Sequence, residues 1–556
     1  MKQLRNHTPV AVIADAHYHD LEGSFGQAEP VSGNGLTARS WSETRCSTRV
    51  FNESFAALPA ALEMIARRGI QHVVLLGDYS DDGQEATVEA VASLLNRYAE
   101  AFSMSFYILP GNHDGYAVKG RHQTKEFLTS DGKATVITSD PDVAQKNVRS
   151  IHTSTMYCSG YPEALKPVAR HGLTRSTNYC HWETPFGTSD AFEDRQYRLK
   201  SADETTEALL IDSSYLVEPE DGLWLLMIDA NVFQPSAEAT GVSLESDFID
   251  STGAGWNAVV AQRPYLISWI ADVHRRAATE KKNLYCFSHY PVVDVFVDNL
   301  ASEQALFGQT NIANRTPQEG VAEVLLQAGM THHFSGHIHV NGSSKRTVGD
   351  STLTNIAVPS LVAFPPAFRI INGSISEMSC ETVNLFDLPV DQRLMDLYRV
   401  ECEQMGEREH PAFASKAYGE FLYAHQEALV THRFFPREWP KDMVALFSGS
   451  TLGHLLTRFD LPSSALGELA TSAGTDPQSV ASLPLIRLVT DWYALRQAQE
   501  LALPYILSDN LSIYKALANH HAGLSVSSVS TTNGMAIYFL DTFLTVLKVS
   551  LERAGA

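Results

Sequence analysis

The sequence predicts an α/β fold followed by an all-helical region, and three observations carry that reading. Short continuous apolar runs close on Gly, Pro or polar residues, as strands buried on both faces do. Helical stretches such as 59–68 and 87–102 separate them. From about residue 388 the helical period takes over: Leu485, Ile486, Leu488, Val489, Trp492 and Leu495 form one broad apolar face, and 539–551 another. At 556 residues the chain is too long for one ordinary core. The simplest division is 1–387 and 388–556.

In chain order, Val10-Ala11-Val12-Ile13-Ala14 runs into Asp15-Ala16-His17. A polar, Gly- and Ser-rich segment of roughly 20–50 follows, and its Arg39, Arg45 and Arg49 are expected to face solvent. Pro59 suits the first turn of its helix, where a missing N–H costs nothing. His72-Val73-Val74-Leu75-Leu76 leads to Gly77-Asp78, and Phe106-Tyr107-Ile108-Leu109 to Gly111-Asn112-His113-Asp114. An insertion over 115–214 precedes a hairpin of 215–217 and 223–228. Segments of that length are lids or binding elements more often than plain loops, so Tyr116, Lys119, Arg121 and His122 are candidate substrate contacts. Leu284-Tyr285-Cys286-Phe287 precedes Ser288-His289-Tyr290-Pro291, and His332-His333-Phe334 precedes Gly336-His337-Ile338-His339. Strands 352–358 and 368–375 come next, with a turn at Asn372-Gly373. Phe435-Pro436 and Trp439-Pro440 mark a turn between later helices.

Five of these strand ends carry carboxylate, imidazole or amide side chains. In open α/β sheets reactive groups sit just past the carboxyl ends of such strands, so the five could converge on one rim. Such donors suit divalent cations, and thiolates are missing from the set. Alone, His289 reads as a hydrogen-bonded structural residue, and Gly77-Asp78 or Gly111-Asn112 as a turn. Five blocks that fit one constellation outweigh those readings.

The ordered blocks D-x-H, GD, GNHD, a lone His and GHxH resemble the calcineurin-like metallophosphoesterase superfamily. The resemblance implies a four-layer αββα sandwich over 1–387, followed by the helical domain. It implies two divalent metal ions (Mn, Fe, Zn or Mg), one held by Asp15, His17, Asp78 and His339. Asp78 would bridge to the other, completed by Asn112, His289 and His337. His113 would face the substrate and Asp114 would orient it. Two cations bring four positive charges; two carboxylates and a bridging hydroxide remove three, leaving about +1 to attract a phosphate. Asp81 stands where purple acid phosphatases place Tyr, which excludes an iron–tyrosinate centre. The C-terminal helices bring the likeness nearest to bacterial cyclic nucleotide phosphodiesterases of the class III type. Hydrolysis of a small phosphodiester, a cyclic nucleotide or similar, by attack of the bridging hydroxide is therefore expected. A phosphomonoesterase or nucleotidase is the competing activity, and a non-catalytic binding scaffold the alternative outside enzymes.

A net charge of −22 with no Lys/Arg run argues against polymeric nucleic acid as partner. The six cysteines show no C-x-x-C spacing and are expected to be reduced. The stretch 535–551 is interrupted by Asp541 and Lys548, so no membrane span is predicted. Lys2 and Arg5 precede too short an apolar run for a signal peptide, and a cytoplasmic location is expected.

Overall fold

The computed structural model describes residues 8–27, 31–32, 35–239, 241–296, 299–458, 463–520 and 531–556, so Lys2 and Arg5 lie outside it. Two mixed sheets form its catalytic part. The first, of five strands, runs in the order Ser379–Asn384, Ala367–Asn372, Val10–Ile13, His72–Leu76, Ser105–Leu109. The second has seven, from Gly342–Val348 through Ser351–Ala357, His332–Ser335, Asn283–Phe287, Leu223–Met227 and Tyr215–Glu220 to His181–Glu183.

The apolar runs explain this layering. Along the second sheet Leu223, Leu225 and Met227 join the core shared with the first sheet. Trp224 and Leu226 face the opposite way, onto the helices Gly255–Gln262 and Pro264–Glu280. A strand covered on both faces must be apolar at every position, and all five residues of Leu223–Met227 are buried. The helices Ser54–Arg67 and Glu85–Phe102 pack their buried faces into the first core. The result is the expected four-layer arrangement of two sheets with helices outside.

Several boundaries differ from expectation. The helix foreseen at 59–68 starts at Ser54, which puts Pro59 inside it rather than in its first turn. The insertion is built of short strands, including a three-stranded sheet of Thr124–Leu128, Ala134–Thr138 and Ser150–His152. Pro436 lies in a helical turn, and Pro440 caps the helix Lys441–Gly449. All six cysteines are free thiols.

After Asn384 every regular element among the described residues is helical. These helices share the first sheet's core: Trp41 packs on Tyr398 and Phe413 with ring centroids 5.5 and 4.9 Å apart. Glu401 accepts hydrogen bonds from Trp41 N–H, at 2.7 Å, and from Ser42. Among the described residues no helix is long and apolar enough to cross a membrane.

Candidate metal centre

The five strand-end loops meet on one rim, tied by their own backbones. Asp15 N–H donates to the Gly77 carbonyl at 3.1 Å and His17 N–H to that of Asp78 at 2.8 Å. Gly77 and Gly111 are required by crowding. A β-carbon at Gly77 would lie 2.5 Å from the His289 ring, and one at Gly111 would overlap the Asp78 carboxylate. Asp15, His17, Asp78, His337 and His339 all adopt positive φ, between 40° and 70°. Few residues accept that region, although Asp and His tolerate it better than most. Such outliers persist where surrounding structure holds them, and cluster at functional sites.

Two groups of potential ligands result, each with its donor atoms within 4.8 Å of one another: Asp15, His17 and His339, then Asp78, His289 and His337. Asp78 Oδ2 lies between them, 3.6 Å from His17 Nε2 and 3.3 Å from His289 Nε2. Asn112 Oδ1 adds to the second group, 3.2 Å from His289 Nε2.

The donor chemistry fits cations. His289 Nδ1 lies 3.0 Å from the Leu76 carbonyl and donates its proton there, which leaves Nε2 a bare lone pair. That lone pair faces Asp78 Oδ2, Asn112 Oδ1 and, at 3.2 Å, His337 Nδ1. His337 in turn spends its proton on the Thr252 carbonyl through Nε2, at 3.1 Å. Acceptors that converge without a proton between them repel, and a divalent cation turns the repulsion into coordination. Outer hydrogen bonds of this kind orient metal-binding imidazoles. Without cations a proton takes their place: burial opposes it, but Asp78 outweighs burial and raises the His289 pKa to about 9.

His113, with 24% of its side chain exposed, stands beside this cluster with Nε2 3.9 Å from Asp78 Oδ2. The residue that orients it is not Asp114. His113 Nδ1 donates to Asp82, whose carboxylate also receives Lys125 and, at 3.3 Å, Arg49. Burial opposes ionisation of Asp82, yet Lys125, Arg49 and His113 hold its carboxyl well below the usual range. Asp114 instead points back into the fold. It accepts from the N–H groups of Tyr79, Ser80 and Gly111, at 3.3, 2.9 and 2.8 Å, and from Ser80 Oγ. Burial, then the nearby Asp78, raises its pKa to about 7. Asp114→Ala should therefore destabilise the protein by about 2–4 kcal/mol, since three buried N–H groups lose their acceptor. A thermal melt of the metal-free variant measures this, and an unchanged melting temperature would refute the bracing role.

A cavity of about 200 Å³ lies over the ligands, lined by Asp78, Asn112, His113, His337 and His339. None of the four contacts expected from the insertion borders it. Tyr116 is buried, with its hydroxyl donating to the Glu245 and Phe248 carbonyls. Arg121 pairs with Asp250 at 2.8 Å, His122 contacts Ser139 Oγ, and Lys119 is exposed. Proximity to the ligand loop in sequence misled: past Gly115 the chain turns outward to pair Gly120–Arg121 with Cys158–Ser159.

Two of the three arginines expected in solvent do the opposite, while Arg45 forms an exposed pair with Glu407. Arg39 is buried against Asp81 at 2.6 Å, and Arg49 lines the cavity while bonding the Asp81 carbonyl at 2.8 Å. The cue in the sequence was the doublet Asp81-Asp82 directly after Gly77-Asp78: two adjacent acids at a buried strand end require cations nearby. The helical C-terminal region also reaches the cavity, through Arg433, Glu438 and Gln497. A larger hollow of about 460 Å³, around His274, Lys282 and Cys286, opens on the outer face of the second sheet and contains none of these ligands.

Residues 8–173 match the family described as calcineurin-like phosphoesterase. No curated protein matches the sequence. A solved structure, a dimetal phosphatase from Danio rerio, shares 14% identity over 68% of this chain and 98% of its own, with a TM-score of 0.33; so loose a likeness carries no argument.

Proposed function

We propose that this chain, whose residues 8–173 match the calcineurin-like phosphoesterase family, hydrolyses small phosphodiesters, cyclic nucleotides or similar. The match of residues 8–173 supports a metal-dependent phosphoesterase acting on a small phosphate ester, and the two ligand groups support two divalent cations. On this reading Asp15, His17, Asp78 and His339 hold one cation, and Asp78, Asn112, His289 and His337 the other. When bound, the pair would supply Lewis-acid charge that polarises the phosphoryl oxygens and makes a water molecule more acidic.

The chain's own residues do the rest. Among the described residues lining the cavity, His113 is the one imidazole outside both ligand groups, and it is held by Asp82 through Nδ1. Its Nε2 faces the site and delivers a proton to the departing alkoxide. Asp82, kept ionised by Lys125 and Arg49, accepts from Nδ1 and fixes the orientation of the ring. The His113–Asp82 pair beside two ligand groups is the observation that carries the proposal. A scaffold without turnover would have no use for a proton donor aimed at the ligand cluster.

A second reading, a phosphomonoesterase or nucleotidase, is favoured by the cavity's 200 Å³, below the ~300 Å³ at which ordinary ligand pockets begin. Manganese-supplemented assays on bis- and mono-p-nitrophenyl phosphate and a panel of cyclic nucleotides separate the two. Faster turnover of the diesters is expected. A large preference for monoesters would install the second reading.

A further inference from the structure

The cavity wall carries positive charge that neither the ligands nor the His113 pair employs. Arg315 ends the short helix Asn311–Arg315, and Arg433 lies on a π-helical turn, Val430–Phe434. Turns of that kind are rare and recur at functional sites, since the widened turn weakens the helix that contains it. Here Phe434 stacks on Tyr493 at 4.2 Å and Arg433 Nη1 donates to the Cys46 carbonyl at 3.0 Å, so the turn is anchored on both sides.

The other cations of the wall are matched. Arg49 has Asp81 and Asp82, and Arg496 grips Glu303 through two hydrogen bonds. Arg315 makes no hydrogen bond or ion pair with the described residues, and Arg433 bonds only a neutral carbonyl. The one further acid on the wall is Glu438, whose carboxyl burial pushes up toward the neutral form. Burial is the largest effect on both guanidinium groups and disfavours their charge; Tyr290, Asp78 and Asp250 offset it only in part at Arg315, and Glu438 only in part at Arg433, where Arg437 also opposes the charge. A monoanionic diester at the cations would leave both guanidinium groups without a directly paired anion.

We infer that Arg315 and Arg433 form an anion subsite beside the metal centre, selecting small phosphate esters whose non-scissile arm carries a carboxylate or second phosphoryl group. This deepens the phosphoesterase reading and rests on it. Planar guanidinium groups suit either oxyanion. It also gives the helical region a part in substrate choice.

The test uses the manganese-loaded enzyme and p-nitrophenyl diesters whose other arm is phenyl, carboxyphenyl or phosphonophenyl. In the wild type, kcat/KM should be about tenfold or more higher for a charged arm than for phenyl. Arg315→Ala and Arg433→Ala should bring that ratio near one, chiefly through KM, while Arg433→Lys keeps part of it. Preference for phosphonophenyl over carboxyphenyl, or the reverse, names the anion. If Arg433→Ala fails to fold, Arg315→Ala carries the comparison. A ratio near one in the wild type, or one untouched by these variants, overturns the subsite. If no ester is turned over, the functional reading falls instead. The subsite is then judged by calorimetric titration with terephthalate, which must bind the wild type and lose affinity in Arg315→Ala.

Discussion

Asp78→Asn should abolish turnover and empty the metal centre while the protein stays folded. The Asp78 carboxylate lies within reach of both candidate ligand clusters, 3.6 Å from His17 Nε2 and 3.3 Å from His289 Nε2. Asn offers one neutral oxygen in its place, so the position between the cations loses its charge. A metal pair contributes several kcal/mol of transition-state stabilisation, hence a loss of about 10³-fold or more in kcat. The His113 N–H that donates to Asp78 Oδ1 at 2.9 Å can still find the amide oxygen, so folding should survive. Elemental analysis gives the metal content and circular dichroism the fold. A variant that keeps two tightly bound metals and wild-type kcat would refute the bridging role.

His113→Ala is expected to lower kcat by about 10²–10⁴-fold, the usual range for a positioned proton donor. Asp82→Asn should reproduce much of that loss although Asp82 has no place in either ligand group. Because the two act as a unit, the double variant should be scarcely worse than His113→Ala alone. The loss should shrink for esters with a good leaving group, which departs without help, and grow for alkyl leaving groups. A loss independent of leaving group would show that His113 binds the phosphoryl group rather than protonating the alkoxide. Full additivity of the two substitutions would show that Asp82 serves something other than His113.

The candidate ligands were legible because their physics is local. A strand buried on both faces must be continuously apolar, and its closing Gly-Asp or Gly-Asn-His stands out against that background. His289, ambiguous alone, became a candidate through the blocks around it, and the structure brings its Nε2 beside Asp78 Oδ2 and Asn112 Oδ1. What was not legible depends on convergence of distant segments. The partner of His113 lies 31 positions upstream, while the adjacent Asp114 turns the other way. Arg49, Arg315 and Arg433 reach one cavity from three separate parts of the chain, and the last sits on a turn whose irregularity has no compositional mark. Side chains just past the candidate ligand loop proved a poor guide, since Tyr116, two positions after Asp114, lies in the other core beside Phe233.

The left-handed backbone at Asp15, His17, Asp78, His337 and His339 also restricts what this centre can become. Side chains that endure such geometry are chiefly Asp, Asn, His and Gly, so exchange at these positions draws from a short alphabet of oxygen and imidazole donors. Glutamate with its longer reach, or cysteine with its taste for softer ions, would first require the loops themselves to be rebuilt. Drift in metal preference must then come from the surroundings, while the inner donors stay fixed by the shape of the main chain.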